Sequence, residues 1–250
     1  MSNTNIVVGG CRIPITYNIT DNLSEIKKAI DWAAVNDVDI MSTPECALSG
    51  YLWNPTSQED LRVLEISDAI SEIQRYSQEK NVDLILGTAW YDENWQWTNM
   101  QAFIVDGKCV HVHRKNILFD AEKQFYINGT QVEIIKYKNF KIAGLICNDL
   151  WSNPIYFTDS SKLLERLYNA EIDILFVSAN VPSNCTHPDL FYQWHDSCIR
   201  MIGGTGKWYT VVSDKTQTIK ICPSGVVHRN SMWVQTADDF ETSYFKETCY

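Results

Sequence analysis

Two hydrophobic rhythms alternate along this chain. In DNLSEIKKAIDWAAVN, Leu23, Ile26, Ile30 and Ala33 recur at helical spacing, with Asp21 or Asn22 available as N-cap and Glu25 inside the first turn. The run VDIMSTPE follows. A second helical stretch, from about residue 58 to 80, carries Ile66, Ile70 and Ile73 on one stripe and leads into VDLILGTAW. A third, SSKLLERLYNA, carries Leu163, Leu164 and Leu167 and leads into IDILFVSAN. The unit is the same each time: an amphipathic helix, Val or Ile followed by Asp, then a nearly continuous apolar strand.

Continuous apolar strands are covered on both faces, and their alternation with helices predicts a layered α/β fold. Between the second and third units lie QAFIVDG, CVHVHRK, VEIIKYK and FKIAGLIC, strands without long helices between them. VDGK joins the first two as a hairpin, so the sheet is expected to be mixed. After WYTVVSD, the segments KICPSGVVH and SMWVQT predict one more hairpin, turning around Pro223 to Gly225.

At 250 residues and 45% hydrophobic, the chain is expected to form one domain, residues 1–250, around a substantial core. The start MSNTNIVVGGCRIP lacks a basic segment followed by a long apolar run, and no window approaches the roughly 18 apolar residues of a membrane span. A cytoplasmic protein without a membrane partner is expected. A net charge of −10 with scattered Lys and Arg argues against nucleic acid as a partner. The eight cysteines are expected to be mostly reduced thiols. Cys185, His187, His195 and Cys198 fit no common zinc spacing, and His111 and His113 share a strand face without a third ligand nearby, so no metal is expected. His195 is a possible partner for Cys147, but the helical spacing of Phe191, Trp194 and Cys198 around it is explained by packing.

Ligands in α/β sheets collect beyond the carboxyl ends of strands, so strand-terminating residues come first. VDIMSTP ends on Glu45, CVHVHR on Lys115 and FKIAGLI on Cys147. A carboxylate can take the thiol proton, a thiolate can attack an acyl carbon, and a fixed ammonium with the backbone N–H of Asn148 can stabilise the oxyanion. Taken singly, Glu45 and Lys115 read as surface charges and Cys147 as a small core residue. Their shared position is the argument, and spacing alone leaves both readings open.

Four ordered motifs extend it. They are TPECALSGY with Glu45 and Tyr51, NMQAFIVDGK leading to HRKNILFD with Lys115, EKQFYING with Glu122 seven residues before Gly129, and GLICNDLW with Cys147 and Asp149. In these the chain resembles the nitrilase superfamily of carbon–nitrogen hydrolases over nearly its whole length. The resemblance implies an α/β fold of the αββα sandwich type and a Glu–Lys–Cys triad. Glu45 is then the general base, Lys115 the stabiliser of the tetrahedral intermediate and Cys147 the nucleophile. Glu122 is the second carboxylate that orients Lys115 and the leaving nitrogen. The resemblance also implies no metal or organic cofactor, a small-molecule amide as substrate, and a homodimer or larger assembly.

Two departures bear on substrate. Asn148 replaces the Tyr or Glu usual after the nucleophile, and nitrile-hydrolysing members carry Trp-Glu where this chain has Asn-Asp. That favours an amidase or carbamoylase over a nitrilase. CNDLW, with Trp151, also resembles the glutamine-hydrolysing domain of NAD synthetases, although no synthetase domain is expected within these 250 residues. Tyr51, Phe119, Asn148, Trp151 and Asn180 are the pocket candidates, by their places past strand ends or beside the triad. Two alternatives remain: a binding protein that keeps the fold without catalysis, and an acyltransferase that passes the same thioester to an acceptor other than water.

Overall fold

The computed structural model describes residues 5–51, 59–150, 160–182 and 186–250, in which the two rhythms resolve into twelve strands and four α-helices. One six-stranded sheet has the order β12 (Ser243–Cys249), β1 (Ile6–Arg12), β2 (Ile40–Ser42), β3 (Asp83–Tyr91), β4 (Trp97–Val105), β5 (Lys108–Arg114). The other has the order β11 (Trp233–Thr236), β10 (Gly225–Val227), β9 (Tyr209–Ser213), β8 (Ile174–Ser178), β7 (Phe140–Ile146), β6 (Ile135–Tyr137). Both are mixed: β1, β2 and β3 run parallel, as do β7, β8 and β9, with antiparallel strands toward the edges.

The continuous apolar runs are explained by β8. Its Ile174 and Phe176 enter the layer between the sheets with Ile6, Ile85 and Phe103. Its Leu175 and Val177 face the opposite way, toward Leu163, Leu167 and Ile199 of the helices α3 (Ser160–Asn169) and α4 (Pro188–Gly206). The first sheet is covered likewise by α1 (Ile19–Val35) and α2 (Glu59–Lys80), through Ile26, Ile30, Ala33, Ile66 and Ile73. Ile26, Ile30, Ile66 and Ile73 are fully buried, each worth about 1.5–3 kcal/mol of transfer free energy. The layers are helix, sheet, sheet, helix: the αββα sandwich.

Three local expectations are corrected. The N-cap of α1 is Asn18, whose side chain accepts from the N–H groups of Thr20 and Asp21. Asn22 instead turns inward and donates to the carbonyls of Thr16 and Leu48, both at 2.9 Å, so it serves the loop and not the helix end. The C-terminal hairpin turns through residues 228–232, because Gly225 pairs within β10, opposite Thr236 and Val212, and so cannot be its turn. In α4 the buried face is His195, Ile199 and Ile202, with Trp194 and Cys198 packed against the same core as expected, while Phe191, 41% exposed, is not part of that packed stripe.

Two antiparallel reversals, β3 to β4 and β4 to β5, return β5 to the direction of β3. The segments following β2 and β5 therefore emerge at one edge of their sheet.

Candidate active site

Glu45 lies just past β2 in a buried segment, held by its own N–H on the Ala179 carbonyl at 3.1 Å and by Asn180 Nδ2 on its carbonyl at 3.1 Å. Gly87 makes room for this segment, since a Cβ there would stand 2.0 Å from the Pro44 carbonyl oxygen. Lys115 follows β5 directly, its N–H on Asn99 O at 2.8 Å and its carbonyl accepting from Gly129 N at 2.7 Å. That second bond explains the spacing from Glu122 to Gly129. The loop must return onto Lys115, and a Cβ on Gly129 would meet Arg114 O at 2.3 Å.

Three charges meet here with almost no solvent, Glu45, Lys115 and Glu122 each being 1% exposed. Lys115 Nζ donates to Glu45 Oε1 at 2.7 Å and to both Glu122 oxygens at 2.9 Å. Tyr51 donates to Glu122 Oε1 and sits 3.4 Å from Glu45 Oε1, while Asn99 Nδ2 donates to Glu45 Oε1 at 2.7 Å. Glu45 Oε1 is thus saturated, whereas its buried Oε2 has no hydrogen-bond partner among the described residues. Burial pushes the Glu45 carboxyl up to about 7 despite the Lys115 charge, with Glu122 adding repulsion. For Lys115 burial works against the charged form, but the attraction of Glu45, Cys147 and Glu122 outweighs it and holds the ammonium well above its usual range.

Cys147 begins a short 3-10 turn, residues 147–149, directly after β7. It is half-buried and holds a left-handed backbone, φ 43°, a conformation that costs a non-glycine residue roughly 1–2 kcal/mol. Asp149, fully buried, fixes that turn. Its Oδ1 accepts from Asn116 N at 2.9 Å and Ile117 N at 2.8 Å; its Oδ2 accepts from Ile146 N at 3.1 Å and pairs with His113 Nε2 at 3.0 Å. One carboxylate therefore ties the residue before Cys147 to the residues on both sides of Lys115.

The structure brings Glu45, Lys115, Glu122 and Tyr51 into direct contact and places Cys147 near enough to act on the Lys115 charge. Asn180 contacts the Glu45 backbone. Asn148 is half-buried in the Cys147 turn. Phe119 touches the site through its N–H, which donates to Glu122 Oε2 at 2.7 Å, while the residue is 57% exposed. Trp151 lies outside the described residues, as does Cys185. His195 donates through Nδ1 to the Ile221 carbonyl at 2.8 Å, and burial lowers its pKa to about 4. Sequence reasoning gave no place in the site to Asn99, His113 or Asp149. Asn99 signalled itself as a polar residue within a buried strand, and Asp149 as part of the nucleophile motif.

A buried carboxylate–ammonium–carboxylate cluster and a half-buried cysteine with a left-handed backbone thus lie at the strand ends of an αββα sandwich. The family described as Carbon-nitrogen hydrolase matches residues 7–235, and the chain belongs to that family, whose members act on C–N bonds. A glutamine-dependent NAD(+) synthetase from Thermotoga maritima is 26% identical over 161 residues, 62% of this chain and 27% of that protein. The chain thus spans about a quarter of the length of such curated relatives. Among solved structures, a carbon–nitrogen hydrolase from Helicobacter pylori G27 superposes with a TM-score of 0.81 at 15% identity, covering 98% of this chain and 90% of that one. A mutant amidase from Nesterenkonia sp. AN1, with an acetamide moiety covalently added at its active-site cysteine, gives 0.78 at 13% identity, covering 98% and 89%. At these identities the likeness shows the fold. Among the described residues no helix is long and apolar enough to cross a membrane.

Proposed function

We propose that the chain hydrolyses the C–N bond of a small amide or carbamoyl compound through a thioester on Cys147. The observation that carries this reading is the unpartnered, buried Oε2 of Glu45, next to a fixed ammonium and near a strained thiol. Cys147 Sγ attacks the acyl carbon while its proton passes to Glu45, and the oxyanion is stabilised by Lys115. Glu45 then gives that proton to the leaving nitrogen, the C–N bond breaks, and ammonia or an amine departs. Water, losing a proton to Glu45, attacks the thioester; the C–S bond breaks, the thiol regains the proton, and the acid leaves. Glu122 and Tyr51 hold Lys115 in place. Reliance on a base near pH 7 suits proton transfer in both directions.

The curated relatives favour one version in particular: the amide of glutamine as ammonia source. Proteins covering 56–62% of this chain are named glutamine-dependent synthetases. Ammonia release from amides, carbamoyl compounds and nitriles, compared between the native chain and Cys147→Ala, tests the proposal. Release confined to the native chain is expected. Equal release by both proteins, or none with any compound, counts against it.

A further inference from the structure

We infer that His113 is a positioning residue for the nucleophile: its imidazole, bonded to Asp149, locks the Cys147 turn to the strand end that carries Lys115. The inference rests on the hydrolase reading above and adds a residue to its machinery.

The Cys147 turn stands at the end of β7 in one sheet, and Lys115 follows β5 in the other. Attack by the thiol and stabilisation of the oxyanion by the ammonium need these two ends held at a fixed separation. Three hydrogen bonds from the Lys115 stretch end on one side chain of the turn, that of Asp149. Asn116 N and Ile117 N reach Oδ1 at 2.9 and 2.8 Å, and His113 Nε2 reaches Oδ2 at 3.0 Å. Ile146 N, from the residue before the thiol, shares that Oδ2 at 3.1 Å. Asn116 and Ile117 contribute backbone groups, which any sequence would supply. Only the His113 bond depends on which side chain the strand carries.

The ring is committed to this contact. A carboxylate oxygen only accepts, so Nε2 is the donor, and the buried Nδ1 has no hydrogen-bond partner among the described residues. Asp149 in turn is fully buried and pairs with no Lys or Arg among the described residues. Losing the imidazole therefore leaves the oxygen that fixes Ile146 with one donor in place of two, with no solvent to replace it. His113 and Lys115 are both buried, whereas Arg114 between them reaches Glu93 at 3.1 Å. In this extended stretch the imidazole and the ammonium leave the chain on the same side, so the bond to Asp149 sets the distance from the nucleophile's turn to the ammonium. Cys147 keeps its left-handed backbone, φ 43°, which a residue other than glycine holds only where its surroundings enforce it. His111, on the same strand face, is different: it lies against the Phe103 ring, 5.5 Å between centroids, and its Nε2 has no hydrogen-bond partner among the described residues.

Alkylation of Cys147 by iodoacetamide, located by peptide mapping, is compared in the native chain, His113→Asn, His113→Gln and His111→Asn, with the buried Cys11 and Cys46 reporting any unfolding. The amide nitrogen of Gln falls near the place of Nε2, while that of Asn stops near Nδ1. His113→Asn should therefore slow Cys147 about tenfold or more, with Cys11 and Cys46 still protected, and His113→Gln should return to within about threefold of the native rate. His111→Asn should match the native chain. Equal rates in all four proteins, equal slowing by Asn and Gln at position 113, the same slowing by His111→Asn, or labelling of Cys11 and Cys46 together with Cys147 overturns the inference. Ammonia release from the same amides, carbamoyl compounds and nitriles is followed in parallel, where His113→Asn should lower kcat about tenfold or more and leave KM within about twofold. Cys147-dependent release unaffected by either substitution of His113 would sink the positioning role alone; the expected alkylation pattern with no release by the native chain would sink the hydrolase reading alone.

Discussion

Replacing Lys115 by Met leaves Glu45 and Glu122 facing each other, both 1% exposed, with their shared cation gone. Breaking a buried ion pair from one side typically costs about 3–5 kcal/mol, and the burial here leaves little solvent screening to reduce it. The site can escape by protonating a carboxylate, at a cost that depends on pH. For a group with an unfolded pKa near 4.3, that costs roughly 5 kcal/mol at pH 8 and roughly 1.6 kcal/mol at pH 5.5. The sign follows from linkage. Folded-state pKa values raised above the unfolded value mean that the folded variant binds more protons, so its stability falls as pH rises from about 4.5. Urea unfolding of native and Lys115→Met protein should therefore show a deficit of about 3–5 kcal/mol at pH 8 that shrinks by about 1–2 kcal/mol at pH 5.5, since native Glu45, raised to about 7, also takes up a proton over that range. A deficit under about 1 kcal/mol at pH 8, or one that grows on acidification, would refute the buried ion network.

With Glu45 raised to about 7, kcat/KM for any active amide should climb with pH along an acid limb near that value, since the base form exists above it. A profile flat from pH 5 to 8 contradicts the role of Glu45. Asp149→Asn puts an NH2 group where the carboxylate accepts from Asn116, Ile117 and Ile146, so it should cost about 1–3 kcal/mol in thermal unfolding and lower kcat more than it changes KM. An unchanged kcat would mean that Asp149 does not position Cys147. Gly87→Ala drives a methyl against the Pro44 carbonyl and should destabilise by about 1–3 kcal/mol while displacing Glu45; a neutral melting temperature would show that the segment yields freely.

The parts of the fold legible in sequence are those whose two faces are both buried. IDILFVSAN reads as a strand because Ile174 and Phe176 meet one core and Leu175 and Val177 another. β12 gave no such signal: as an edge strand it is half-covered, and Lys246 reaches out to the Asn36 carbonyl. β1 is interrupted by Gly9 and Gly10, which look like breakers. Gly10 is required because Phe245 packs where its Cβ would be, 2.4 Å away. The cap of α1 was misread because Asn18, Asp21 and Asn22 have equivalent chemistry locally, and only the contact of Asn22 with Leu48, 26 residues on, separates them.

The site shows the same division. Glu45, Lys115 and Cys147 were legible as candidates because each terminates an apolar strand, though spacing alone left both readings open and the ordered motifs were needed to choose between them. Asn99 and Asp149 stood within the quoted motifs, but their contacts, like those of His113, were not legible, because each partner comes from a distant part of the chain. His113 and Asp149 are 36 positions apart and meet only when β5 and the Cys147 turn are brought together.

The most direct test is the intact mass of the native chain, quenched in acid during reaction with an active amide, followed by peptide mapping. The account predicts a mass increase equal to the acyl group, located on the peptide containing Cys147 and absent from Cys147→Ala. Turnover with no acyl adduct, or an adduct on another cysteine, would contradict it.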